Sequence, residues 1–151
     1  MVNLVCGIGP RVGSSFVMRQ AKVAGLPVVG TKYCHGQLPV SGNPGGYYCQ
    51  LPNEVRDMKE GVGKVWPLQL RFLTVPADKV VIIERHNLAN QRSSIIKQSE
   101  REKFEVDPDA VITKSAQAMS GYLEAINPEV MMVTTEELDN QISDIIKFLG
   151  D

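Results

Sequence analysis

Short apolar runs alternate with longer stretches of helical period along the whole chain. Val2-Asn3-Leu4-Val5-Cys6 is an apolar run closed by the glycine-rich stretch Gly7-Ile8-Gly9-Pro10-Arg11-Val12-Gly13. Behind it, Phe16, Val17, Ala21 and Ala24 share one stripe at helical spacing, which predicts a helix over 14–24. Gly25 suits its C-terminal cap, and Pro27 prevents continuation. Val28-Val29-Gly30-Thr31 reads as a second strand. Residues 32–52 then carry Gly36, Pro39, Gly42, Pro44, Gly45 and Gly46 and read as a long loop, of a length usually reserved for function or mobility. A short helix is expected over 53–60, and a brief strand at Lys64-Val65-Trp66 that Pro67 stops.

The plainest strand is Lys79-Val80-Val81-Ile82-Ile83-Glu84, a continuous β-branched run of the kind buried on both faces of a parallel sheet. Asn87 is a fair N-cap for a helix carrying Leu88, Ile95 and Ile96. A further helix begins near Asp107-Pro108, where proline fits the first turn, and ends near Asn127-Pro128. Val130-Met131-Met132-Val133 is the last strand. Thr134 and Glu137 have capping-box spacing ahead of Leu138, Ile142, Ile145 and Leu149. Strands alternating with helices predict an α/β fold with a mostly parallel sheet, helices on both faces, and ligands bound beyond the carboxyl ends of the strands.

Composition narrows the partners. The chain has 151 residues, the size of one domain, and a net charge of -1, so no global basic field draws it to nucleic acid or to an anionic membrane. No apolar run has the length of a membrane span, and the apolar start over 1–8 lacks the basic region of a signal peptide. Cys6, Cys34 and Cys49 are odd in number and widely spaced, which argues against a disulfide framework and for a reducing, cytoplasmic setting. Cys34 beside His35 has no further ligands at suitable spacing, so no metal site is expected.

The chemistry is concentrated in Gly7-Ile8-Gly9-Pro10-Arg11-Val12-Gly13-Ser14-Ser15, which leads from a strand directly into a helix. Glycines let backbone N–H groups turn inward, and a helix N-terminus favours an anion. Ser14 and Ser15 add hydroxyl donors, and Arg11 a permanent charge with a forked donor set. The stretch is not a Walker A loop, since Ser14 stands where that motif has lysine and Ile8 where it has its leading glycine. Pro10-Arg11-Val12-Gly13-Ser14-Ser15 resembles instead the 5′-phosphosulfate loop of the sulfotransferases, with Val12 in place of a usual serine. The resemblance implies a single three-layer P-loop domain over 1–151 and the donor PAPS (3′-phosphoadenosine-5′-phosphosulfate). Arg11 would contact the leaving phosphate and the sulfonate, and Ser14 and Ser15 the 5′-phosphate.

A second element has matching spacing. Arg85 ends the strong strand and Ser93 lies eight positions on, where the same family holds the 3′-phosphate of PAPS. Lys64 matches the family lysine near the sulfonate. Trp66, however, occupies the place of the histidine that takes the acceptor's proton, and an indole cannot do so. His35, Glu54 and Asp57 are the alternative bases, with nothing to choose among them. Tyr47 and Tyr48 could line an acceptor pocket or pack under the loop. The expected activity is sulfuryl transfer to an unspecified hydroxyl or amine. The alternatives are a nucleotide-binding protein without catalysis and, less well supported, a small P-loop kinase.

Overall fold

Among the described residues, four parallel strands, β1 (Val2–Gly7), β2 (Gly61–Lys64), β3 (Lys79–Glu84) and β4 (Glu129–Thr134), form one sheet in the order β2-β1-β3-β4. The computed structural model describes residues 1–29 and 52–151, the side chains of 52–54 excepted. Parallel pairing throughout places the carboxyl ends of all four strands on one edge. The glycine-rich turn after β1, Lys64, the end of β3 and the end of β4 therefore meet there.

Alternation along the two central strands divides the core. Leu4, Cys6, Val80 and Ile82 face one side and pack with Val55, Met58, Leu70 and Met119. Val5, Val81, Ile83 and Val133 face the other and pack with Val17, Met18, Leu138, Ile145 and Leu149. The helices α1 (Ser14–Val23) and α5 (Leu138–Gly150) cover the second face. The first is covered by α2 (Pro52–Asp57), α4 (Pro108–Ile126) and a 3₁₀ turn, Pro67–Phe72. The result is a three-layer α/β arrangement. Each large aliphatic side chain so buried contributes about 1.5–3 kcal/mol, which is why β1 apart from Asn3, and β3 between Lys79 and Glu84, read as apolar runs.

Local signals set most helix ends. Gly25 takes φ +85° past α1, with its N–H donating to the Lys22 carbonyl and that of Leu26 to Ala21. Asn87 caps α3 (Leu88–Glu102) by accepting from the Asn90 N–H at 3.0 Å. Asp107 does the same for α4 through the Ala110 N–H, and Asn127 ends that helix in the left-handed region at φ +54°.

Three expectations change. The second strand reduces to a bridge between Val28 and Val62, and residues 30 and 31 lie outside the described residues. The brief strand at 64–66 instead spans Gly61–Lys64, while Trp66 opens the 3₁₀ turn. A Cβ on Gly63 would come 2.7 Å from the Met58 methyl, so this glycine reflects close packing inside a strand. The Thr134–Glu137 capping box does not form: residues Thr135–Glu137 make a 3₁₀ turn, and neither Thr134 nor Glu137 caps through its side chain. Cys6 is buried, and desolvation pushes its thiol up to about 12, making it an inert core residue. Cys34 and Cys49 lie outside the described residues. Among those described, no helix is long and apolar enough to cross a membrane.

Candidate functional site: an anion-binding turn at the carboxyl edge

Between β1 and α1 the left-handed conformation recurs at every second residue, with φ +79° at Gly9, +65° at Arg11 and +96° at Gly13. Alternation of this kind turns successive N–H groups into a concavity suited to anions. Arg11 is the exception, a side chain held where about 1–2 kcal/mol of strain is expected.

Four of the turn's carbonyls are held by side chains of other elements. Those of Ile8 and Pro10 accept from Gln91 Nε2 at 3.0 and 2.9 Å. The Arg11 carbonyl accepts from Arg85 Nη1 at 3.0 Å, and that of Val12 from Thr135 Oγ1 at 2.7 Å. The N–H groups of residues 11–16, by contrast, meet no acceptor among the described residues; helical bonding starts with Val17 donating to Gly13. Free donors, the N-terminal end of a ten-residue helix and its dipole thus point the same way.

Cations from three elements converge on this turn. Arg11 is exposed and donates through Nε to Ser94 Oγ at 3.0 Å. Lys64, from the end of β2, reaches Ser15 Oγ at 3.2 Å. Arg85, from the end of β3, reaches the turn as described. Ser14 is buried and Ser15 half-buried at the start of α1. Of the residues predicted from sequence, Pro10, Arg11, Gly13, Ser14, Ser15, Lys64 and Arg85 therefore gather in one place. Ser93 lies on the exposed surface of α3, and the hydroxyl that meets Arg11 is its neighbour Ser94.

Gln91, Ser94 and Thr135 were not anticipated. A signal existed for the first: Gln91, Ile95 and Ser99 form the buried stripe of α3, so a polar residue opens a stripe expected to be apolar.

The turn between β3 and α3 is already occupied. Glu136 Oε1 accepts from the N–H of His86 at 2.6 Å and of Asn87 at 3.3 Å. Desolvation pushes the Glu136 carboxyl up, but the N–H groups of Asn87 and His86, its own N–H and the His86 charge outweigh it and hold the group below its usual range. The backbone donors at this end of α3 thus already hold a carboxylate, and the cationic character of this corner comes from Arg85. A neighbouring concavity of about 330 Å³ is walled by Glu84, His86, Glu136 and Glu137 over Met132 and Val133. Its carboxylates would repel phosphate, which sets it apart from the candidate site at the β1–α1 turn.

Among the candidate bases, Asp57 closes α2, just ahead of Gly61, whose N–H donates to the Met1 carbonyl at the amino edge of the sheet. It sits at the opposite end from the turn. His35, the Glu54 side chain, Tyr47 and Tyr48 lie outside the described residues. Trp66 is half-buried beside β2. The chain matches no protein-family model and no curated protein.

Proposed function

We propose that the chain is a P-loop, sulfotransferase-like protein that binds PAPS and transfers its sulfuryl group to a hydroxyl or amine. The observation that carries the reading is the bond from Arg85 Nη1 to the Arg11 carbonyl. It supports one crevice in which the β1–α1 turn and the end of β3 address the same ligand. PAPS carries anionic groups at both its 5′ and 3′ ends, and these two clusters would match them. The sheet order, with the glycine-rich turn following a central strand, also fits a P-loop architecture.

In this reading the free N–H groups, Gly13, Ser14 and Ser15 hold the 5′-phosphate, with Pro10 shaping the turn. Arg85 holds the 3′-phosphate, with Ser93 or Ser94 as the hydroxyl partner on α3. The acceptor oxygen or nitrogen attacks sulfur and forms the new bond. The bond from sulfur to the bridging oxygen breaks, with its electron pair leaving on the 5′-phosphate, and the acceptor's proton passes to a base. Arg11 and Lys64 stabilise the charge gathering on the bridging oxygen and the sulfonate, so catalysis is chiefly positioning and electrostatics. Trp66 in place of the family's histidine favours a second reading, a nucleotide-binding protein without catalysis. A small P-loop kinase fits less well, because Ser14 replaces the lysine that would reach the phosphates.

Calorimetry with adenosine 3′,5′-bisphosphate, without metal, tests the cradle, and ATP with Mg²⁺ tests the kinase reading. Transfer of labelled sulfate from PAPS to a panel of phenols, sugars and amines then divides enzyme from binder. Binding of ATP–Mg²⁺ in preference to the bisphosphate would overturn the proposal.

A further inference from the structure

We infer that Gln91 is the positioning residue of the β1–α1 turn: its side-chain amide fixes the turn's polarity, carbonyls outward and N–H groups toward the anion. This rests on the reading that the turn holds a phosphate or sulfate group, and it adds what sets the turn's direction.

Gln91 is fully buried in the first turns of α3. Its Nε2 carries two protons and spends them on two different carbonyls, of Ile8 at 3.0 Å and of Pro10 at 2.9 Å. Each of those carbonyls belongs to a peptide whose other end is a turn N–H, that of Gly9 and that of Arg11. Holding a carbonyl outward therefore holds the attached N–H inward. The bracketed residue is Gly9, where a Cβ would stand 2.9 Å from that same Nε2. Glycine at that position makes the approach of the amide possible, and the amide in turn restrains a glycine that has no side chain to hold it.

The other end of the amide is left wanting. Gln91 Oε1 is buried with no partner among the described residues. A buried acceptor without a donor costs stability, and an apolar side chain of similar length would not carry that cost. What the amide supplies in exchange is the direction of two peptides. Without it, the Ile8 and Pro10 carbonyls lose their donor, and rotating either peptide relieves them by turning an oxygen into the concavity, against any bound anion.

Two variants separate this from a packing role. Gln91→Met keeps the length, removes both donors and removes the orphan oxygen. At alkaline pH, where even a buried carboxyl ionises, Gln91→Glu replaces the donor by a third oxygen. Affinity for inorganic sulfate and for adenosine 3′,5′-bisphosphate, measured well below the melting transition and at that alkaline pH for Gln91→Glu, should fall at least about tenfold in both. The melting temperature of Gln91→Met should stay near wild type. Gln91→Glu should regain sulfate affinity on acidification, as its protonated carboxyl donates to one carbonyl, over a range where the wild type responds little. In the ligand-free protein, both side-chain amide protons of Gln91 should exchange slowly, and the carbonyl ¹³C resonances of Ile8 and Pro10 should move in Gln91→Met. A folded Gln91→Met with wild-type sulfate affinity overturns the inference. A wild type that binds neither sulfate nor bisphosphate overturns the phosphate-loop reading instead, and amide exchange with the carbonyl shifts still decides whether Gln91 sets the turn.

Discussion

Each residue at the turn answers to a different physical demand, and substitutions should separate them. Gly13 combines φ +96° with a position where a Cβ would stand 2.5 Å from Leu138 Cδ1. Gly13→Ala should therefore lose about 1–3 kcal/mol, from left-handed strain plus crowding that Leu138 can relieve only in part. Urea unfolding measures this directly, and an unchanged midpoint would mean the turn relaxes without cost. Arg85 is different, because its bond to the Arg11 carbonyl is exposed and worth little to the fold. Arg85→Ala should leave stability near wild type while bisphosphate affinity falls about tenfold to a hundredfold, the range for a charge-assisted contact. Arg85→Lys should recover only part of it, since an ammonium restores the charge but lacks the planar fork. Equal bisphosphate affinity in the Arg85→Ala variant would detach residue 85 from the ligand.

Elements were legible in the sequence wherever one local signal sufficed. The run over 79–84 is buried on both faces and needs no context to be read as a strand, and the boundaries of α4 follow from Asp107, Pro108 and Asn127 alone. By contrast β2 carries two glycines in four residues, because neighbours press on them, and such pressure leaves no periodicity to detect. The carboxyl-edge residues Arg11, Lys64 and Arg85 could be found from order and type. Gln91 showed only as a polar break in the stripe of α3 and Thr135 not at all, since their roles depend on which carbonyl a distant helix or turn faces. Thr134 to Glu137 shows the same limit: the spacing fits a cap, yet Glu136 instead reaches across to the β3–α3 turn. That contact has a pH signature. A carboxyl whose folded pKa is depressed contributes stability above its ordinary pKa and loses it as pH falls through the folded value. Glu136→Gln should thus melt below wild type at neutral pH, with the gap closing on acidification through the carboxylate range. A gap that stays constant with pH would assign the effect to shape and not to charge.

At the scale of the molecule, the question is whether turn, strand ends and helices respond to a ligand as one body. β1 and β3 are adjacent and share both core layers, while α1 and α5 pack on one face and α4 on the other. An anion held jointly by the β1–α1 turn and the end of β3 would therefore bind only the folded state, because unfolding separates its two halves. Saturation at a hundred times Kd then adds about 2.7 kcal/mol, or roughly 5–10 °C of melting temperature for a chain this long. The shift should appear with adenosine 3′,5′-bisphosphate, shrink with either monophosphate, and need no metal. Raising the salt concentration should reduce it steeply, since the cations at Arg11 and Arg85 are exposed or half-exposed. If the 5′-monophosphate alone gives the full shift, the β1–α1 turn acts by itself, and the end of β3 contributes only to the scaffold.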